Sequence, residues 1–279
     1  MAAGTPLTRL ALGASSISDD LGYVALNDLA TALADITADY RIIGGHMVTM
    51  LAARWRLGTG FYRETGDVDL GIPPVVARDK RVVSRLKDVS YLQIAGNRFA
   101  RRISDIPAGL TGEKGSLSPE AFIDVLVPAY TSRARANVPV GEDLFTTEVL
   151  GLQLALARPP VTISLHLRRL NGDTLRCEVP FADELSALVL KSLATRVRSR
   201  NTDIADVWRC LEIAFAAGLN PADFVGGVRA DSAAVIRRLF GTRRSPAMAA
   251  LIAERHLSVQ AADERFTRIR ALIARVLGP

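Results

Sequence analysis

Residues 40–72 carry the pattern that most restricts how this chain can fold. Tyr40-Arg41-Ile42-Ile43 reads as a short buried strand stopped by Gly44-Gly45, and helical spacing resumes from His46 to Leu57. After a glycine-containing loop, Val68, Leu70 and Ile72 alternate with Asp67, Asp69 and Gly71, until Pro73-Pro74 ends the run. A period of two sends the apolar set to one side of a strand and both carboxylates to the other. Two glycines at a strand-to-helix turn let backbone approach phosphate oxygens, where the first N–H groups of the helix lack partners. Two carboxylates side by side can hold a divalent metal against a triphosphate. The intervening helix makes it geometrically reasonable for the two halves to meet. Gly-Gly before a helix is commonly only a tight turn, and D-x-D is common on surface strands. Order and spacing together carry the reading.

Two missing motifs argue against a P-loop enzyme and a dinucleotide fold. The sequence has no G-x-x-x-x-G-K-[ST] and no G-x-G-x-x-G opening a dinucleotide fold. Cys177 and Cys210 read as reduced core thiols, and His46, His166 and His256 are too scattered for a zinc cluster, so any metal is expected on carboxylates. With 49% hydrophobic and 23% charged residues, the chain has enough apolar content for a core. No apolar run reaches the roughly 18 to 20 residues of a spanning helix. The expectation is a soluble, cytoplasmic protein, with Met1 to Ser18 as a short leader that carries no export signal.

Asn27 to Asp39 shows helical spacing through Leu29, Leu33 and Ile36, with Asn27 or Asp28 placed to cap it. Val82 to Leu86 continues as helix. Hairpins are expected over Tyr91 to Ile103, turning at Ala95-Gly96-Asn97, and over Val161 to Val179, turning at Asn171-Gly172-Asp173. From Ala182 the texture is helical only: Leu185 to Val197, Thr202 to Ala217, Pro221 to Val228, Ser232 to Phe240 and Val259 to Leu277. The expected organisation is therefore an α+β domain over residues 1–180 and a helical domain over 181–279.

Asp124 stands in the apolar run Phe122-Ile123-Asp124-Val125-Leu126-Val127. A lone carboxylate there is costly to desolvate unless paired or metal-bound. It reads as a third metal ligand or a general base, against the plainer alternative that its strand face points to water. In the run Lys191 to Asp206, Lys191 and Arg198 are two turns apart, a cationic pair able to neutralise triphosphate charge. Thr202 is expected to cap the next helix, placing Asp203 and Asp206 in its first turn, where acids are ordinary dipole partners. Lysine is rare in this chain, whose net charge is +6 through arginine. That balance suits a polyanion and suits a merely solvated basic surface about equally, but most of the excess falls after Phe181.

In these residues the chain resembles the AbiEii and MenT-like nucleotidyltransferase toxins, a branch of the DNA-polymerase-β-like superfamily. The likeness covers roughly residues 27–216 and rests on four pieces: Gly44-Gly45-His46, the R-x-T-x-D-x-D run from Arg63 through Thr65 and Asp67 to Asp69, Asp124 on a later strand, and Lys191, Arg198, Asp203 and Asp206 in order. It implies a mixed sheet with flanking helices and magnesium, with manganese as a substitute, on Asp67 and Asp69. Nucleotide contacts are implied for Gly44, Gly45, His46, Arg63, Thr65, Lys191 and Arg198. Asp206 would complete the site, with Asp203 the other candidate. The resemblance further implies a bacterial toxin that transfers NMP from an NTP to RNA, at the tRNA 3′ end, alongside an AbiEi-like antitoxin. His46 departs from the small hydroxyl residue common at its position, and R-S-R-N-T-D interrupts the usual Arg-Asp pair. Two rivals remain: transfer to a small-molecule or protein hydroxyl, and a catalytically silent RNA-binding module.

Overall fold

The computed structural model describes residues 6–34, 36, 40–107, 119–142, 144–198 and 200–278. Its frame is one mixed sheet with helices packed against it. From one edge, β1 (Arg9–Gly13) pairs in parallel with β9 (Val161–Arg168), which is antiparallel to β10 (Thr174–Phe181). β10 is parallel to β2 (Arg41–Ile43), and β2 is antiparallel to β3 (Asp67–Gly71). β3 runs parallel to β6 (Glu120–Pro128).

β6 then splits its far edge between two partners. Its first half is antiparallel to β5 (Arg98–Arg102), which continues to β4 (Leu92–Gln93). Its last residues, Leu126 to Pro128, pair in parallel with β8 (Leu144–Val149), itself joined to β7 (Val138–Val140). At the switch, Val125 N donates to Asn97 O (2.9 Å) and Phe145 N to Gly96 O (3.3 Å), which ties the 95–97 turn to both strands.

The expected alternation holds on β3: Val68 and Leu70 are fully buried beneath the carboxylate face. Of the segment expected as a leader, positions 1–5 lie outside the described residues, and the rest is structural instead, since Arg9–Gly13 is the edge strand and a helix begins at Ile17. That helix, α1 (Ile17–Ala32), also overturns the expected start near Asn27. Its cap is Ser16, whose side chain accepts from Asp19 N (3.2 Å), an interaction worth about 1 kcal/mol. Positions 35 and 37–39 of the expected helix lie outside the described residues. α1 hides its onset because its buried face carries acids. Asp20 is fully buried and accepts from Arg169 (2.8 Å) and Leu170 N (2.8 Å), and Asp28 accepts from Arg101 (2.6 Å). Paired in this way, buried carboxylates escape the desolvation cost that makes them look like surface residues in sequence.

α2 (Gly44–Arg54) follows β2 without a loop. Between β3 and β4 lie α3 (Pro74–Ala77) and α4 (Lys80–Asp88), and α5 (Leu152–Ala157) follows β8. After β10 the chain is helical: α6 (Glu184–Val197), α7 (Asn201–Ala216), a 3₁₀ turn at Pro221–Phe224, α8 (Gly227–Leu239), α9 (Pro246–Arg255) and α10 (Val259–Val276). The expected helix over Pro221 to Val228 is thus a 3₁₀ turn followed by the start of α8. Thr202 does not cap α7 either: the cap position falls two residues earlier, at Arg200, with no side-chain cap bond. α6 and α7 pack against each other and against α2, so their buried residues join the same apolar core as the sheet. Among the described residues, no helix is long and apolar enough to cross a membrane.

Candidate active site

The turn from β2 into α2 is shaped around a carboxylate. Gly44 has φ +71°, the left-handed region, and a Cβ at that position would collide with the Asp69 carboxylate. Ile43 precedes it in extended conformation and gives α2 no side-chain cap, so no side chain fills the first N–H groups. Gly45 is equally confined, because a Cβ there would run into the Thr65 side chain. Gly44→Ala is therefore expected to lower the melting temperature, through about 1–2 kcal/mol of left-handed backbone strain plus displacement of Asp69. Thermal denaturation of the variant beside Gly60→Ala checks this, since nothing surrounds the Gly60 position.

The parallel register of β3 and β6 sets Asp69 directly beside Asp124, with Asp67 beside Phe122. Asp124 is buried, which removes the water-facing alternative, and its partner is Arg98. Arg98 Nε donates to Asp124 Oδ1 (2.9 Å) and Nη2 to Asp124 Oδ2 (2.6 Å), with Asp67 Oδ2 3.4 Å from the same Nη2. Its guanidinium lies over the Phe122 ring, 5.1 Å from the centroid. Asp69 has no side-chain hydrogen bond among the described residues. Burial, the Asp67 charge and the Asp124 charge raise its pKa to about 6, against the opposing pull of Lys191 and Arg198. The three carboxylates do not yet converge on one point: among the described residues, no group of three or more His, Cys, Asp or Glu is arranged to hold a metal ion. Arg98 stands in the gap. The donor set is all hard oxygen, of the kind magnesium takes.

Opposite the acids, α6 supplies Lys191. It is 5% exposed, and its Nζ donates to Asp206 Oδ2 (2.8 Å). Asp206 is fully buried on α7 and also holds Arg209 (2.9 Å) and Arg63. Burial opposes its ionisation, but Lys191, Arg63 and Arg209 hold its carboxyl below the usual carboxylate range. Asp206 lies beyond the first turn of α7 and acts on Lys191 from behind. Asp203 does the same for Arg198, which follows α6 in extended conformation and donates to it from Nε (3.0 Å) and Nη2 (3.3 Å).

A cavity of about 480 Å³ joins these groups. Gly44, Asp69, Asp124, Arg98, Lys191 and Arg198 form its polar walls, while Leu126, Val149, Leu150, Leu190 and Leu193 form its apolar one. That volume suits a nucleotide-sized ligand, because small-molecule sites run about 300–1,000 Å³. Gly45, His46, Arg63, Thr65, Asp67, Asp203 and Asp206 are not among its walls. His46 is buried toward Gly22 of α1, its Nε2 unpartnered among the described residues. Burial pushes its pKa down to about 4, so the ring is neutral at physiological pH. Thr65 is buried with its hydroxyl likewise unpartnered.

Sequence reasoning missed Arg98 and Asn97, both in the cavity wall. Alternation within the Tyr91 to Ile103 hairpin puts Arg98 on a definite face, but only the β5–β6 register brings it to Asp124.

No protein-family model and no curated protein matches the chain. Among solved structures it is similar to an antigenic nucleotidyltransferase-like protein from Paracoccidioides brasiliensis, at 17% identity and a TM-score of 0.44, over 91% of this chain and 95% of that one.

Proposed function

We propose that the protein is a metal-dependent nucleotidyltransferase on a polymerase-β-like core, transferring NMP from an NTP to an RNA hydroxyl with release of pyrophosphate. The observation that carries this reading is Asp69. Its carboxylate has no hydrogen-bond partner among the described residues, sits between Asp67 and Asp124, is given room by a left-handed glycine, and shares one cavity with Lys191 and Arg198. Carboxylates placed to repel one another are an arrangement that a divalent cation relieves.

Asp67, Asp69 and Asp124 would hold magnesium, or manganese in its place, which supplies positive charge against the triphosphate. Lys191 and Arg198 bind the β- and γ-phosphates and offset charge on the leaving group. The acceptor oxygen attacks the α-phosphorus and gives up its proton to a carboxylate, a role Asp124 would take where it is not a metal ligand. The bond from the α-phosphorus to the bridging oxygen breaks, and pyrophosphate leaves with that electron pair. Arg98 neutralises two of the three acids in the structure and would have to move aside for a cation to be held by all three.

The finer assignment follows the sequence resemblance: a bacterial cytoplasmic toxin of the AbiEii and MenT-like kind, acting on the tRNA 3′ end and countered by an AbiEi-like antitoxin. Incubation of the protein with total tRNA and each α-³²P-labelled NTP, with and without Mg²⁺, tests it. Label on tRNA that requires the metal is the expected result. Label on a small molecule or protein instead, or none with any NTP, would refute it.

A further inference from the structure

Among the described residues two aromatic side chains are exposed, Tyr130 at 62% and Phe145 at 49%, and both stand beside the cavity. Phe145 alternates along β8 with Leu144 and Thr146, which are buried, so it shares a strand face with Thr147 of the cavity wall. Its backbone meets Gly96, the middle of the turn whose flanking residues Ala95 and Asn97 also line the cavity. Tyr130 follows Ala129, whose N–H donates to the cavity-lining Val149 (3.0 Å). From the wall's α6 side, the chain runs Arg196, Val197, Arg198 and on to Arg200, with all four exposed and Val197 and Arg198 in the cavity wall. Arg196 and Arg200 have no acidic partner among the described residues.

An exposed aromatic face wets poorly, and exposed arginines without acids attract phosphate. The two together beside one opening are what an unpaired nucleic-acid strand requires: bases stack on rings while cations follow the backbone. The incoming nucleotide belongs inside the cavity, where Lys191 and Arg198 meet Asp69. Phe145 lies outside that space.

We propose that Phe145 is the stacking platform for the unpaired 3′ end of the acceptor RNA, and that Arg196 and Arg200 follow its phosphates. The choice of RNA as acceptor rests on the transferase reading; the platform itself rests on exposure and position. A ring at the mouth holds the last base while its ribose hydroxyl points inward to the acids.

The test uses the full chain and a fluorescein-labelled 12-nucleotide single-stranded RNA with a free 3′-hydroxyl. Anisotropy gives its affinity, and isothermal titration calorimetry gives that of each NTP. Phe145→Ala is expected to weaken RNA binding roughly 5- to 150-fold and leave NTP affinity unchanged, with Phe145→Trp restoring it. Arg196→Gln with Arg200→Gln should shallow the salt dependence by about 1.4 in slope, and both positions are exposed enough to leave folding intact. Unchanged RNA affinity in Phe145→Ala, loss of NTP affinity in its place, or no RNA binding by the wild type would each overturn the proposal. Asp69→Ala separates the two readings, because it should bind RNA normally. If the wild type transfers nothing yet RNA binding depends on Phe145, the platform stands and the transferase reading fails.

Discussion

Asp69→Asn is expected to abolish nucleotidyl transfer, by about 10³-fold or more, while raising the stability of the metal-free protein at pH 7.5. The two effects have one cause. A ligand that stabilises several kcal/mol of transition-state charge through a cation changes rate tenfold for each 1.4 kcal/mol. The same carboxylate, with no cation beside it, is a liability in the fold, since burial together with Asp67 and Asp124 raises its pKa to about 6. Its folded pKa exceeds the unfolded value of roughly 4, so ionisation opposes folding. The penalty is absent below the unfolded pKa, grows as pH rises through the interval between the two, and is complete above about 6. Melting in EDTA should therefore show the variant and wild type converging near pH 4 and separating at pH 7.5, with the variant more stable. A variant that melts lower at pH 7.5, or transfers at the wild-type rate, would remove Asp69 from the role assigned to it.

What could be read from sequence was whatever follows from local periodicity. β2, the Gly-Gly turn and β3 are legible because a buried strand, a left-handed glycine and period-two alternation each leave a local mark. β6 is legible as an apolar run, and Asp124 stands out against it. The onset of α1 is not, since Asp19, Asp20 and Asp28 on its buried face read as solvent until Ser15, Arg169 and Arg101 are seen to satisfy them. α9 left a signal that went unused: Ser245 caps it and Pro246 opens it. In the site, Asp67 and Asp69 were visible from spacing, whereas Arg98 depends on a register set 26 residues away. Asp206 was visible as a residue but not in its position. Counted from a cap at Thr202 it is a dipole partner in the first turn. Counted from Asn201, in a helix buried on several sides, it is the anion to which three cations are bound.

That arrangement makes Asp206→Asn the most damaging single change expected in the helical part of the chain. Lys191, Arg63 and Arg209 would lose their common carboxylate, and Lys191 and Arg209 are almost wholly buried. Breaking a buried ion pair by removing one partner costs about 3–5 kcal/mol, which for a protein of this size is a fall of roughly 10 °C in melting temperature. The pH dependence has the opposite sign to that of Asp69. The folded pKa of Asp206 is lowered, so its stabilisation is complete above the unfolded carboxylate value and is lost as pH falls through the folded one. Acid unfolding of the wild type should steepen below about pH 4, and the variant should lack that contribution. Lys191→Met separates holding from chemistry. Asp206 would keep Arg63 and Arg209, so the protein should melt much closer to wild type than Asp206→Asn does, yet lose about 10²–10³-fold in transfer with the phosphate contact. If instead Asp206→Asn melted with the wild type and lost only activity, the carboxylate would be meeting substrate or metal directly, and its burial behind Lys191 would have to open during turnover.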